Sequence, residues 1–365
     1  MASVRRLEPP STLLDFPSQV RDIRGDPRDT GTLTYAGARY LDRTRALETG
    51  EVVPAGLNRF QYRVFDDLTY LFNWMAIATP FAASEMSLSF LLRMVASGDR
   101  RLVAIPVFPS RSFRHGQVYV HTRSGIGLPT DLRGKSVGVA EYHMTAALWI
   151  RAWLQHDYGV HSSDIHWFVA SRQEPVYSFA MPTHLNASRV ADTAELESMF
   201  AKGAIDALIA ASAPKAYCEG DEHVRRLFPN YRDVERAYYE RTGIFPIMHT
   251  VVLRRDVYEQ DRTLALSLLE AFEAAKQQAQ LRLREMGTLA IMHPWLGAEL
   301  AEVTETFGGD PFVYGLSPNL HVLETAAQLS HEQGLSPRAV DVRELFAEET
   351  LDWTPPPSPL IGRRW

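Results

Sequence analysis

Four short segments of this sequence carry arginine, histidine or glutamate. These are the side chains that bind anions and transfer protons. The segments are SEMSLS (84–89), FPSRSFRH (108–115), AEYHMTA (140–146) and FPIMHT (245–250). An arginine fork bonds a carboxylate through two parallel N–H donors, and imidazole titrates near neutral pH. The segments together predict a cleft that holds an anionic ligand beside acid–base groups.

Strands are the first elements that are expected to position the four segments. Apolar and β-branched runs predict strands at LTYAGARY (33–40), LNRFQYRVF (57–65) and LVAIPVF (102–108), with a short helix in the loop after the first of them. The stretch 82–97 predicts a strand that runs into a helix, capped by Ser84, Glu85 or Ser87.

From residue 116 the pattern becomes an alternation of strands and helices. The strands are QVYVHT, SVGVA, DIHWFVA and IDALIAA, and the helices are EYHMTAALWIRAWLQHDYG and TAELESMFAKG. This alternation predicts a parallel sheet with helices on its faces. We expect RRLFPNYRDVERAYYERTG to be a polar connection into the strand FPIMHTVVLRRDVY, and the chain to be almost entirely helical from there to about residue 350.

This order predicts an α/β protein of two lobes. We expect an extended arm at residues 1–30, lobe 1 at 31–115 and 248–350, lobe 2 at 116–247, and a Pro-rich tail at 351–365. Two strands would cross between the lobes, near residues 115 and 250, and lobe 1 would include a helical C-terminal region.

Composition narrows the classes of partner. The chain has 44 acidic and 38 basic residues, intermixed, and a net charge of −6, so it offers no basic stripe to nucleic acid. No apolar run reaches the length of a membrane span, and no signal peptide is evident at the N-terminus. Because Cys218 is the single cysteine, no intrachain disulfide is required. We expect a cytoplasmic protein without nucleic-acid or membrane partners, and a homo-oligomer is a candidate assembly.

The crossing pattern resembles the hinge of type II periplasmic binding proteins, and longer phrases resemble one family within that superfamily. Over roughly residues 33–350 the chain is similar to 4,5-dihydroxyphthalate decarboxylases. The phrases that carry the resemblance include DRTRAL, SEMSLSFLL, VAIPVFPSRSFRH, DLRGKSVGVAEYHMTAALWIR, RRLFPNYRDVERAYYERTGIFPIMHTVVLRRDVY and SHEQGLSPR. The chain departs from the family pattern at YAGARYL and at FDDLTYLFNWMAIATPFAA, both near the expected ligand mouth.

The resemblance implies a carboxy-lyase that removes one carboxylate from a hydroxylated aromatic dicarboxylate in the cleft between the lobes. Such a reaction needs an anion clamp, an acid that protonates the ring carbon and a base for the phenolic proton. The predicted catalytic residues are His143, His115, Glu141 and His249. The predicted substrate-binding residues are Arg43, Glu85, Ser87, Arg111, Arg114, Tyr142 and Thr145, with Arg111 and Arg114 expected on loops that open into the cleft.

Structural roles compete with these assignments. Arg111 and Arg114 could form salt bridges, His249 could be a core or hinge histidine, and Glu85 could only cap its helix. No HxH, HExxH or GxGxxG pattern occurs, so we predict no metal and no cofactor; a metal held by the histidines and glutamates through tertiary convergence is the alternative. Alternative functions are a non-catalytic receptor or sensor for an aromatic carboxylate, and a different lyase acting on an aromatic acid.

Overall fold

The computed structural model describes residues 31–171, 177, 179, 181–285 and 291–360. The predicted N-terminal arm, residues 1–30, lies outside the described residues, as do the last five residues of the predicted tail. Within the described ranges, eleven strands form two sheets.

The first sheet has five strands in the order β2-β1-β3-β11-β4. They are β1 (Thr32–Gly37), β2 (Arg59–Val64), β3 (Ala83–Ser87), β4 (Leu102–Arg111) and β11 (Ile247–Arg254). Strand β1 is parallel to β2 and β3, whereas β11 is antiparallel to β3 and β4. The register places His249 opposite Ser87 on one side and Ser110 on the other. The returning strand therefore brings a residue from late in the chain between two of the predicted site segments.

The second sheet has six strands in the order β10-β5-β9-β6-β7-β8. They are β5 (Val118–His121), β6 (Ser136–Val139), β7 (His166–Ala170), β8 (Ala187–Val190), β9 (Ala207–Ile209) and β10 (Val224–Arg226). The expectation of a parallel sheet holds for β6 to β9 and is wrong for β5, which is antiparallel to β9 and β10. Strand β5 enters this sheet directly from the first one, before any strand–helix–strand unit, so no crossover helix sets its direction.

The described residues form eleven helices. They are α1 (Arg45–Thr49), α2 (Leu68–Ala78), α3 (Leu88–Ala96), α4 (Thr145–Tyr158), α5 (Thr193–Ala201), α6 (Lys215–Cys218), α7 (Tyr231–Thr242), α8 (Arg255–Gln260), α9 (Thr263–Leu283), α10 (Leu296–Phe307) and α11 (Leu320–Glu332). In this part of the chain, no helix has the length and apolar character that a membrane crossing requires.

Two expectations about helices are wrong. The segment expected to be a polar connection contains helix α7, which is mostly polar and buries only Tyr238, so few apolar residues mark it as a helix. The chain is also not helical as far as residue 350. Between α11 and residue 360, the last one that the structure describes, the helical elements are short 3₁₀ turns, and Ala347 donates its N–H to the Ala104 carbonyl of β4 at 2.8 Å. Gly334, with φ 66°, and Pro337 end the helical run.

The described residues contain two clusters of buried apolar side chains, and the larger cluster extends over both sheets. Its members include Leu91 of α3, Trp149 of α4 and Ile247 of β11. The Trp149 Nε1–H donates to the Ile247 carbonyl at 3.1 Å, so the helix after β6 is held against a strand of the first sheet. The division of strands between the sheets is consistent with the predicted lobes, and the lobe boundaries at residues 115 and 247 stay predictions.

Candidate active site

Glu85 is a fully buried carboxylate in the middle of β3. Its Oε1 accepts a hydrogen bond from the Tyr40 hydroxyl at 2.6 Å and lies 2.6 Å from Nδ1 of His249. Its Oε2 accepts the Ala38 backbone N–H at 2.9 Å. We call Tyr40, Glu85 and His249 the Glu85 cluster. Because Ser87, and not Glu85, caps helix α3 by accepting from the Phe90 N–H, capping does not explain Glu85.

The Glu85 carboxyl is held in its charged form. Burial acts to raise its pKa, but the hydrogen bonds from His249, Tyr40 and the Ala38 N–H, together with the His249 charge, outweigh burial and lower the pKa. Burial, and next the Glu85 charge, raise the pKa of Tyr40 well above its ordinary value. Tyr40 therefore stays protonated and donates to a carboxylate.

A second set of contacts joins β3 to the start of α4. The Ser87 and Thr145 hydroxyls are 2.9 Å apart, and Thr145 Oγ1 also accepts the Ser89 N–H at 3.1 Å. The Ser89 hydroxyl donates to the His143 carbonyl at 2.8 Å. Since Ser87 lies opposite His249 in the sheet, these bonds connect the Glu85 cluster to the segment that carries Glu141 and His143.

Glu141 and His143 form an acid–base pair at the edge of a cavity. The Glu141 Oε2 lies 3.3 Å from His143 Nε2, and both side chains are partly exposed. The cavity has a volume of about 350 Å³. Its lining residues are Asn73, Arg93, Glu141, Tyr142, His143, Val169, Ala170, Tyr177, Phe179, Met181, Pro182, Arg189 and Leu335. Glu141 follows β6, at the carboxyl end of a parallel strand, where open α/β sheets bind ligands.

Two arginines that the sequence reasoning missed contribute positive charge to this cavity. Arg93 of α3 lies with its guanidinium 3.7 Å from the centre of the Phe179 ring, and its Nε–H donates to the Leu335 carbonyl at 3.1 Å. Burial, followed by repulsion from Arg151, lowers the pKa of Arg93 to about 9, so it remains a cation at neutral pH. Arg189 of β8 is exposed at the cavity wall. Neither residue stands in one of the four segments.

Arg43 adjoins the Glu85 cluster through Tyr40. Its guanidinium carbon lies 3.9 Å from the centre of the Tyr40 ring, and its Nε–H donates to the Pro109 carbonyl at 2.5 Å. The side chain is 19% exposed and pairs with Asp42 at 2.9 Å. Tyr40 and Arg43 both follow β1, so the carboxyl-end criterion that selected Glu141 also selects Tyr40, which the sequence reasoning missed.

Arg111 and Arg114 are less accessible than expected. Arg111 is the last residue of β4 rather than a loop residue, and its guanidinium donates to Asn319 Oδ1 and to the Phe245 carbonyl, both at 2.8 Å. Arg114 donates to the Ala211 carbonyl at 3.2 Å and contacts the Met248 sulfur at 3.2 Å. Burial lowers the pKa of each to about 10. Substrate contact by either arginine stays a prediction.

Tyr142 turns its side chain into the core. The ring packs 3.9 Å beneath the Arg151 guanidinium and edge-on against Trp167, while its carbonyl accepts from Arg151 at 2.7 Å. A substrate contact by Tyr142 would therefore use its backbone N–H, because the carbonyl is already bonded to Arg151.

His115 is not brought together with the other predicted catalytic residues. Its ring is buried and stacks on the Trp153 ring with centroids 4.7 Å apart. The centroid of the Tyr238 ring lies 5.0 Å from that of His115. Within the described residues its Nδ1 has no hydrogen-bond partner. Burial, and next the Arg241 charge, lower its pKa to about 4. These surroundings favour a neutral core imidazole.

This burial makes folding sensitive to pH. The His115 pKa of about 4 in the folded protein is below the ordinary 6.5, so between these values the unfolded chain binds more protons. The stabilisation is complete above pH 6.5 and is lost as the pH falls towards 4. We expect the unfolding free energy of the native protein, relative to a His115→Phe variant, to fall by about 1–2 kcal/mol between pH 7 and pH 5. Urea unfolding measures this difference. His161→Phe serves as the control, because His161 is exposed and its replacement should leave the pH dependence of the unfolding free energy unchanged. An unchanged difference would contradict the assignment.

The described residues contain no group of three or more His, Cys, Asp or Glu side chains that could hold a metal ion. Instead, His249 pairs with Glu85, His143 pairs with Glu141, and His115 lies among aromatic rings. The metal alternative of the sequence reasoning therefore has no geometric support in the described part of the chain.

The order and direction of the strands in the two sheets define the class of protein as a two-lobed, type II periplasmic-binding-protein-like fold. The chain matches the periplasmic aliphatic sulphonate binding protein SsuA from Escherichia coli with a TM-score of 0.52 and 15% identity, over 87% of this chain and 98% of that one. The predicted fold class is thereby confirmed.

Sequence comparison narrows the class to a family. The chain is 33% identical over 324 residues to a 4,5-dihydroxyphthalate decarboxylase from Comamonas testosteroni, covering 88% of this chain and 97% of that protein. It is 33% identical over 209 residues to the enzyme of the same name from Pseudomonas putida, covering 56% and 79%. No protein-family model matches. This chain belongs to the 4,5-dihydroxyphthalate decarboxylase family, and the predicted family and enzyme class are confirmed.

Proposed function

We propose that this chain decarboxylates a hydroxylated aromatic dicarboxylate such as 4,5-dihydroxyphthalate. The observation that carries the proposal is the 33% identity to the Comamonas enzyme, because it extends over 97% of that enzyme. In the reaction a proton adds to a ring carbon that bears a carboxylate, the bond between that carbon and the carboxylate breaks, and carbon dioxide leaves. The electron pair of the broken bond restores the aromatic ring, so each turnover consumes one proton.

The lining of the cavity supports a ligand of this kind. Tyr177 and Phe179 offer aromatic faces to a ring, and Arg93 and Arg189 offer cations to its carboxylates. The volume of about 350 Å³ is within the range of small-molecule sites. We propose Arg43 as a further carboxylate ligand, because it is partly exposed beside the Glu85 cluster. Ser87 and Thr145 would contribute hydroxyl or backbone donors at the junction between β3 and α4.

The Glu141–His143 pair supports acid–base chemistry at the cavity. His143 would take the phenolic proton of the substrate, which increases the electron density of the ring at the carbon to be protonated. Glu141 would stabilise the imidazolium that forms, as a carboxylate does beside a catalytic histidine. His143 would return the proton to the phenolate after carbon dioxide has left, so this pair has no net proton uptake.

The test is turnover by the purified full-length protein. We expect carbon dioxide release from 4,5-dihydroxyphthalate within a panel of hydroxyphthalates and hydroxybenzoates, and equal rates with and without a chelator, because the proposed steps use protein side chains alone. Saturable binding without carbon dioxide release would contradict the proposed reaction and favour the receptor alternative, since receptors such as SsuA share this fold. Loss of turnover with the chelator would contradict a cofactor-independent reaction.

The cytoplasmic location, the homo-oligomer and the lobe boundaries at residues 115 and 247 are part of the same proposal. Cell fractionation tests the location, and light scattering on the purified protein tests self-association. Limited proteolysis with and without substrate tests the boundaries, because closure of two lobes on a ligand would protect the segments that cross between them.

A further inference from the structure

The Glu85 cluster has the arrangement of a carboxylate that orients a catalytic imidazole. The Glu85 carboxylate is fully buried, whereas the His249 side chain is 17% exposed. Nδ1 of His249 lies 2.6 Å from Glu85 Oε1, which assigns the proton on this nitrogen to the hydrogen bond with the carboxylate. The nitrogen left for a ligand is therefore Nε2.

Two other contacts restrict the imidazole. The Phe72 ring packs edge-on against it with centroids 4.9 Å apart. The Tyr40 hydroxyl donates to the same carboxylate oxygen as Nδ1, which fixes the position of that oxygen. A histidine that only fills space in a core does not need a buried carboxylate, because a neutral imidazole can donate its N–H to a backbone carbonyl. It also does not need a tyrosine that holds such a carboxylate in position.

We propose that His249 is the proton donor to the ring carbon of the substrate, and that Glu85 and Tyr40 are positioning residues that hold its ring with Nε2 directed at the cleft. This inference rests on the proposed function. It adds Tyr40 to the residues that position the proton donor. It also gives the two histidines different roles, since His143 removes the phenolic proton and His249 protonates the ring carbon.

The proton balance of the step is complete. The Nε2–H bond of the His249 imidazolium breaks, and a C–H bond forms at the ring carbon that carries the departing carboxylate. The bond from that carbon to the carboxylate then breaks, its electron pair returns to the ring, and carbon dioxide leaves. Neutral His249 regains one proton from solvent before the next turnover, and the Glu85 carboxylate compensates the positive charge of the imidazolium.

The experiment measures kcat and KM for 4,5-dihydroxyphthalate with full-length His249→Gln, Glu85→Gln, Tyr40→Phe and the double variant Glu85→Gln/His249→Gln. We expect His249→Gln to lower kcat by roughly 10²–10⁴-fold, the usual contribution of a positioned acid, with a much smaller change in KM. Tyr40→Phe should lower kcat by a smaller factor, because it removes a support and not the donor. The double variant should be no slower than His249→Gln, because residues that act as a unit are not additive.

The matched control is Tyr258→Phe. The Tyr258 hydroxyl donates to Glu349 at 2.6 Å, the same length as the bond between Tyr40 and Glu85, and the Tyr258 side chain is buried whereas Tyr40 is half-buried. We expect kcat to be unchanged in this variant. Circular dichroism verifies folding of each variant, and nitrogen-correlated proton NMR of the His249 ring in the unliganded protein should show an Nδ1–H signal that Glu85→Gln shifts.

The outcomes separate the two proposals. A folded His249→Gln variant with native kcat, or a double variant whose loss is the product of the single losses, overturns the assignment. If the native protein releases no carbon dioxide from any hydroxyphthalate, the proposed function fails and the donor role fails with it, while the NMR signal still reports the tautomer. If Glu85→Gln does not fold, Tyr40→Phe and His249→Gln carry the test.

Discussion

Replacement of His143 by glutamine is expected to lower kcat for decarboxylation by roughly 10²–10⁴-fold, with KM changed by only a few-fold. Glutamine keeps an amide near the ring position but cannot accept a proton at neutral pH. His143 Nε2 lies 3.3 Å from the Glu141 carboxylate, and both residues line the cavity, so the substitution removes the proposed base without opening the core. Steady-state kinetics on the purified protein measures the effect.

The control is His156→Gln, a histidine within helix α4, which begins two residues after His143. His156 also pairs with a glutamate, at 3.2 Å from Glu332, but its side chain is 51% exposed and it is not among the residues that line the cavity. We expect native kcat for this variant. A His143→Gln protein that keeps native kcat, or one that loses activity only through a higher KM, would contradict the base assignment and favour a role in binding.

Among the substitutions considered, Lys276→Met is expected to lower the unfolding free energy the most, by about 3–5 kcal/mol. Lys276 is buried in α9, and its Nζ lies 2.8 Å from Asp310, 3.0 Å from Glu273 and 3.0 Å from the Phe312 carbonyl. All three charged side chains are at most 6% exposed. Methionine matches the length of the stem but leaves two buried carboxylates without their cation.

The position of this cluster links stability to the site. Burial acts to raise the pKa of Glu273 and exceeds the lowering effect of Lys276, so the carboxyl takes up a proton more readily still when the lysine is removed. Phe312, whose carbonyl accepts from Lys276, also packs 4.9 Å from the Arg43 guanidinium. We therefore expect Lys276→Met to raise KM as well, because it loosens the Phe312 ring that packs against the proposed carboxylate ligand Arg43.

Urea unfolding of the two proteins measures the stability change. The control is Lys215→Met, because Lys215 pairs with Glu219 at 3.7 Å while both side chains are more than half exposed. Exposed pairs of this kind contribute at most about 1 kcal/mol, so we expect little change there. A loss below 1 kcal/mol for Lys276→Met would mean that the cluster is not the compensated buried unit that its geometry indicates.

Much of the fold could be predicted because its signals are local. Ser87 caps α3 by accepting from an N–H only three residues further along the chain, and the strands β4 and β11 carry apolar, β-branched runs that are typical of buried strands. The errors arose where local signals are weak. Helix α7 is mostly polar and buries only Tyr238, and the direction of β5 depends on how the chain enters the sheet.

The site was predictable in part for the same reason. Glu141 and His143 are two residues apart after a strand, so sequence alone places them together at a strand end. Arg93 and Arg189 gave no such signal, because one lies within a helix and the other in an edge strand of the second sheet. Their cavity forms where strand ends of the second sheet meet helices α2 and α3.

The sequence by itself determined that this protein is a two-lobed α/β enzyme of its family, with anion-binding and acid–base side chains on four segments. The tertiary structure decided which of these side chains work together. Glu85 and His249 are 164 residues apart, and only the placement of β3 between β1 and β11 brings Tyr40 and His249 to one carboxylate. The same folding buries Arg111 on Asn319 and encloses His115 among aromatic rings. Burial and pairing are properties of neighbours in space, which spacing along the chain does not encode.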